Sequence, residues 1–155
     1  MKVQFQKNKE SKNVIRFLRT DASSTWTKGD DFLVLHDLSH YTIEKTLNYT
    51  TAFYGMIKSG VSIQNFEDKP TRDQMKLSNE AWYAEALANL LLIEYTQNPF
   101  ENFNEVLKES VQKTNPNLPA LVISESDLNT MRKLYKDLIA RWNQVPDKEI
   151  MELIF

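Results

Sequence analysis

The chain has no cysteine among its 155 residues. That excludes a disulfide framework, a thiolate metal site and a cysteine nucleophile, and it fits a reducing cytoplasm. Glycine is scarce as well: Gly29, Gly55 and Gly60 are too scattered to form a phosphate loop. No dense basic run exists beyond the loose cluster Lys7, Lys9 and Lys12, and 19 basic against 21 acidic residues leave a formal charge of −2. Electrostatic attraction to nucleic acid or to an anionic membrane is therefore not expected. The longest apolar stretch, Ala86 to Ile93, is interrupted by Asn89 and falls far short of the roughly 20 residues of a membrane helix. The alternating N-terminus has no signal-peptide run and should be part of the fold. A soluble, cytoplasmic protein is expected, with residues 1–155 forming a single domain.

Histidine is the scarcity that carries information. Both histidines lie in one segment, Phe32-Leu-Val-Leu-His36-Asp37-Leu-Ser-His40-Tyr41-Thr-Ile-Glu44-Lys-Thr-Leu47, four residues apart. In a helix, residues at that spacing share a face and can converge on one partner.

Around this segment the patterning predicts an α+β fold. Met1, Val3 and Phe5 alternate with Lys2, Gln4 and Gln6 as in a half-buried strand, and the β-branched and aromatic stretch Asn13 to Thr20 pairs back on it as a hairpin. Thr25 to Thr27 is a short third strand, and the alternation from Glu149 to Phe155 adds a C-terminal strand to the same small antiparallel sheet. Four or five helices should pack against it. The first runs from about Asp31 to Leu47, capped by Asp30 or Asp31. A short one from about Thr51 to Ser59 ends at Gly60, which can take the left-handed conformation after a helix. Ser62 to Lys76, with Pro70, reads mostly as a long surface connection, although Thr71-Arg-Asp-Gln74 could be a capping box. Helices follow from Ser78 to Gln97, from Asn98-Pro99-Phe100-Glu101 to about Lys113, and from Ser124 to Pro146, the last two separated by a loop with Pro116 and Pro119.

On the histidine helix, His36, His40, Ile43 and Leu47 continue a stripe begun by Leu33, so the imidazoles should face protein or a cleft. Asp37, Tyr41, Glu44 and Asn48 form the adjoining stripe. His36, Asp37, His40, Tyr41 and Glu44 are thus the candidate polar site. Two histidines at i and i+4 can bind one Zn²⁺ or Fe²⁺, and a neighbouring carboxylate can orient a ring through its other nitrogen. Glu44 cannot join both as a ligand, because it lies roughly 12 Å along the helix axis from His36. Glu85 is the candidate third ligand: it falls on the stripe Ala81, Glu85, Ala88, Leu92, where a carboxylate needs a partner. The plainer alternative is a glutamate that reaches solvent beside histidines that only hydrogen-bond internally.

These residues carry a resemblance. His36-Asp37-Leu38-Ser39-His40-Tyr41-Thr42-Ile43-Glu44, followed by Phe53-Tyr54-Gly55 and Gly60, resembles an uncharacterised bacterial protein family marked by H-D-L-x-H-Y-x-x-E and then F-[FYW]-G. The likeness covers about 30 residues specifically, more loosely the N-terminal strands, and implies no assigned activity. The H-D-x-x-H part is also similar to the zinc motif of the ubiquinone-biosynthesis scaffold family. There a glutamate follows after eleven intervening residues; here that position is Ala52, so the likeness is local.

Ser39 adjoins His40 in sequence but points to another side of the helix, which disfavours a Ser/His nucleophile pair. Trp26, Trp82 and Trp142 are expected in the core rather than as stacking platforms. Two function classes remain. One is a protein with a polar His/Asp/Glu cleft, a candidate for divalent-metal binding and for enzymatic action, whose partner is a small molecule or a protein. The other is a non-catalytic protein-interaction module in which the histidines form a structural hydrogen-bond network.

Overall fold

The computed structural model describes residues 1–155. Four strands, β1 (Lys2–Gln6), β2 (Asn13–Leu18), β3 (Ser24–Gly29) and β4 (Ile150–Ile154), form one antiparallel sheet in the order β3-β2-β1-β4. Seven helices complete the α+β fold: α1 (Asp31–Thr46), α2 (Phe53–Lys58), α3 (Gln64–Glu67), α4 (Lys69–Gln74), α5 (Asn79–Thr96), α6 (Phe103–Thr114) and α7 (Glu125–Gln144). The sheet follows from its alternation: Val3, Phe5, Ile15, Phe17, Met151 and Leu153 are buried on one face, and their neighbours lie on the other. Register puts Val3 opposite both Phe17 and Leu153, which stacks apolar side chains across three strands.

Helix α1 is capped by Asp30, whose carboxylate accepts the Leu33 N–H at 3.1 Å, and it ends before Asn48 at a positive φ of 54°. It departs from the expected two-stripe pattern: every residue from Asp37 to Glu44 is buried. The sheet, α5 and α7 all pack around it, so both stripes are covered and its polar residues must find partners inside the protein. Helix α7 is tied to α1 by the Tyr135 hydroxyl, which donates to the Leu35 carbonyl at 3.0 Å, and by the Trp142 indole, which donates to Asp31 at 3.3 Å.

Three local expectations are corrected. Residues 62–76 hold two short helices: Asp68, not Thr71, caps α4 by accepting the Thr71 N–H at 3.0 Å, with Pro70 in the first turn. Helix α6 starts at Phe103 rather than at Asn98-Pro99, because the Phe100 N–H is taken by Glu94 at 2.9 Å and the intervening residues are held as a turn. Glu94 is itself gripped by Arg132 at 2.6 and 2.8 Å. Of the tryptophans, Trp142 is buried and Trp82 half-buried. Trp26 is exposed, because it lies on the sheet face away from the helices with Lys28 over its ring.

Candidate metal centre

Helix α1 presents His36 and His40 one turn apart, with ring centroids 4.8 Å from each other. Helix α5 lies across them and brings in Glu85. Its Oε2 is 3.2 Å from His40 Nε2, and its Oε1 is 3.8 Å from His36 Nε2, which is ion-pair range rather than a hydrogen bond. One ligand atom from each of His36, His40 and Glu85 falls within 4.8 Å of the other two, close enough to hold a metal ion. His40 is buried, His36 is partly so, and the Glu85 side chain is half exposed.

The start of α5 is fastened to the connection between α1 and α2. Ser78 caps α5, accepting the Ala81 N–H and donating to the Thr51 carbonyl at 2.9 Å. Glu80 accepts the backbone N–H groups of Thr50 and Thr51 at 2.9 and 2.7 Å, together with the Thr51 hydroxyl. Glu85 is steadied in turn by Asn89, whose amide donates to its Oε1 at 3.0 Å. The asparagine that interrupts the apolar run of α5 thus aims the carboxylate.

Glu44 supplies the next layer. Its side chain is fully buried, and its oxygens accept the Tyr54 N–H at 2.9 and 3.0 Å and the Gly55 N–H at 3.2 Å. Ala52 at the start of α2 offers no side-chain cap, so Glu44 satisfies donors that α2 would otherwise leave unpaired. Its Oε1 also lies 3.5 Å from His40 Nδ1, which makes no hydrogen bond of good geometry. Without a metal, the imidazolium directs one N–H toward each carboxylate, Nδ1 toward Glu44 and Nε2 toward Glu85; loss of the Nε2 proton would free that lone pair for a metal. Sequence spacing places Glu44 beside His40 but says nothing of its hold on α2, because the groups it binds there are backbone amides.

Two of the candidate polar residues have other surroundings. Tyr41 donates to the Ile154 carbonyl at 3.0 Å and packs against Tyr54 and Phe155, away from the histidines. Asp37 is buried, its Oδ2 has no partner, and burial pushes its carboxyl up to about 6 against the pull of both histidines. For His40, burial acts to lower the imidazole pKa, but Glu44 and Glu85 overcome it and raise the value to about 9. The same pairing, with His36 first and His40 second, holds the Glu85 carboxyl well below the usual carboxylate range.

His36, Asp37, His40 and Glu85 all line a cavity of about 810 Å³ bounded by α1, α2, α5 and the short helices α3 and α4. Apart from these polar groups its inner wall is mainly apolar, with Leu33, Phe53, Met56 and Trp82 among its members. No helix in the protein is long and apolar enough to cross a membrane. Comparison with known proteins finds no matching family model, no similar curated protein and no similar solved structure.

Proposed function

We propose that the protein binds one divalent metal, Zn²⁺ or Fe²⁺, through His36 Nε2, His40 Nε2 and a Glu85 oxygen, and that the centre is of the catalytic kind. The observation that carries this reading is the convergence of those three ligand atoms at the wall of a cavity. Two imidazoles and one carboxylate leave positions for water and substrate, as catalytic sites require and closed structural sites do not. Glu44 behind His40 and Asn89 beside Glu85 match the outer partners that fix ligand orientation in such centres. A metal held there would supply Lewis-acid chemistry, polarising a carbonyl or lowering the pKa of a water, while His36, His40 and Glu85 would hold and orient it. A cytoplasmic setting agrees with the absence of cysteine.

One observation favours the second reading, a metal-free structural network in an interaction module. A protonated His40 placed between Glu44 and Glu85 has a carboxylate near each ring nitrogen without any metal. Metal analysis of tag-free protein, followed by Zn²⁺ and Fe²⁺ titration, separates the two. The metal reading expects stoichiometric uptake that Glu85→Ala weakens strongly; no uptake by the native protein leaves the network.

A further inference from the structure

The cavity beside the histidines is built from side chains that the metal centre does not use. Of its 17 lining residues 9 are hydrophobic, so a ligand that filled it would gain chiefly by burying apolar surface. Phe53 and Met56 of α2, Ile63 and Phe66 at α3, Met75 after α4 and Trp82 of α5 supply much of that wall. The two methionines let it adapt its shape. Polarity is distributed unevenly: Asp37 and His40 are buried and His36 is partly so, whereas Glu67, Arg72, Asp73 and Glu85 are exposed. An entering molecule therefore meets charges at the solvent side, Glu85 among them, with apolar walls and the buried His40 and Asp37 further in.

Charge narrows the occupant further. Four carboxylates, Asp37, Glu67, Asp73 and Glu85, line the cavity against one guanidinium, Arg72, which lies 3.8 Å from Asp73, and the His36 and His40 imidazoles. A phosphate dianion would enter against that field, and no helix of eight or more residues directs its N-terminus there through a lining residue other than Leu33 of α1 and Ala81 and Trp82 of α5, whose first N–H groups are already capped by Asp30 and Ser78.

We infer that the cavity is the binding site for a compact, predominantly apolar and unphosphorylated small molecule that presents one oxygen-bearing group to the His36, His40 and Glu85 cluster. The inference rests on the proposed metal reading for the fate of that group, and on the cavity alone for the apolar body. Apolar burial sets affinity, and the centre sets orientation.

The test uses the full chain loaded with Zn²⁺ and titrated with acetohydroxamate and octanohydroxamate, which share a metal-binding head and differ by an apolar tail. Burial of the longer tail should tighten binding by at least about 100-fold. Met75→Asp, a change at a half-buried position outside the helices, should remove most of that gain while leaving Zn²⁺ uptake and acetohydroxamate binding in place. Equal affinities for the two hydroxamates overturn the inference, as does tighter binding of phenyl phosphate than of octanohydroxamate. A second measurement does without metal: octanamide added to chelator-treated protein should shift the methyl signals of Met56 and Met75 and spare those of Met131 and Met151, which are buried outside the cavity. If Zn²⁺ fails to bind while those signals shift, the metal reading falls and the apolar site stands. Zn²⁺ uptake with unmoved methyl signals defeats the apolar site alone.

Discussion

His40 has a carboxylate near each ring nitrogen, Glu44 at 3.5 Å and Glu85 at 3.2 Å, and its acid–base behaviour should report which reading holds. Its folded pKa of about 9 lies above the ordinary value of 6.5, so the metal-free protein gains stability from protonated His40 that is fully present below pH 6.5. That gain, on the order of 3 kcal/mol at most, should be lost as pH rises from about 6.5 to 9. Asp37 has the same sign at lower pH: its raised pKa costs stability progressively as pH climbs from about 4 to 6. Glu85 acts oppositely, and its contribution fades as pH falls through the carboxylate range. Urea unfolding of chelator-treated protein across pH 6.5 to 9 checks the His40 sign. Zn²⁺ needs neutral imidazole, so the stabilisation it adds should grow over the same interval. Glu44→Gln removes the charge behind His40 and should weaken Zn²⁺ binding by roughly 10- to 100-fold in a competition titration. At this scale the sequence was informative where spacing and polarity conflict. Histidines four apart marked the face, and a carboxylate on an apolar stripe marked Glu85. Tyr41 belonged to the same polar stripe, but its hydroxyl is directed to the last strand, a destination no local pattern encodes.

At the scale of elements, the site depends on how α2 begins. A Cβ on Gly55 would stand 2.1 Å from the Thr50 carbonyl oxygen, a backbone atom that cannot swing aside. Gly55→Ala should therefore lower stability by about 2–3 kcal/mol, measured by thermal or urea unfolding. It should also loosen Zn²⁺ binding, because shifting the 54–55 amides disturbs Glu44 and through it His40. By contrast, Asp68→Ala removes the cap of α4 at a cost of about 1 kcal/mol, confined to the cavity's outer wall. Faster amide exchange in residues 69–74 with little change in global unfolding is the expected result. Helices α1, α5 and α7 are legible because each runs for several turns and opens on a residue whose side chain caps it. Helices α3 and α4 span four and six residues, too few for a period to emerge from a polar stretch. The start of α6 differs from the expectation for another reason: Asn98-Pro99 has the chemistry of a helix start, but Glu94, held by Arg132 of α7, takes the Phe100 amide.

For the molecule as a whole, α1 is the member that the sheet, α5 and α7 enclose, and Trp142 is the largest of its fully buried neighbours. The indole reaches Asp31 at the start of α1, and Lys7 donates to the Trp142 carbonyl at 2.9 Å with its ammonium over the ring. Trp142→Ala should cost about 3–5 kcal/mol in equilibrium unfolding, because one side chain joins the first turn of the sheet to two helices. The sheet's composition followed from strand alternation, and the C-terminal strand declared itself in the same way. The exposed outer face was harder to foresee, since Trp26, Ile150 and Ile154 look like core by residue type and are exposed by register. The strand order has a kinetic consequence. Strand β1 lies between β2 and β4, and Lys2 pairs with Ile154 at the far end of the chain. The β1–β2 hairpin joins segments close in sequence, but the other flank of β1 stays unpaired until residues 150–154 can reach it. Until β4 docks, β1 presents an open edge with Val3 and Phe5 uncovered on one side, the kind of surface on which chains associate. Refolding should accordingly be limited by this distant closure, and a chain interrupted before Glu149 should aggregate through β1 rather than persist as a shortened native protein.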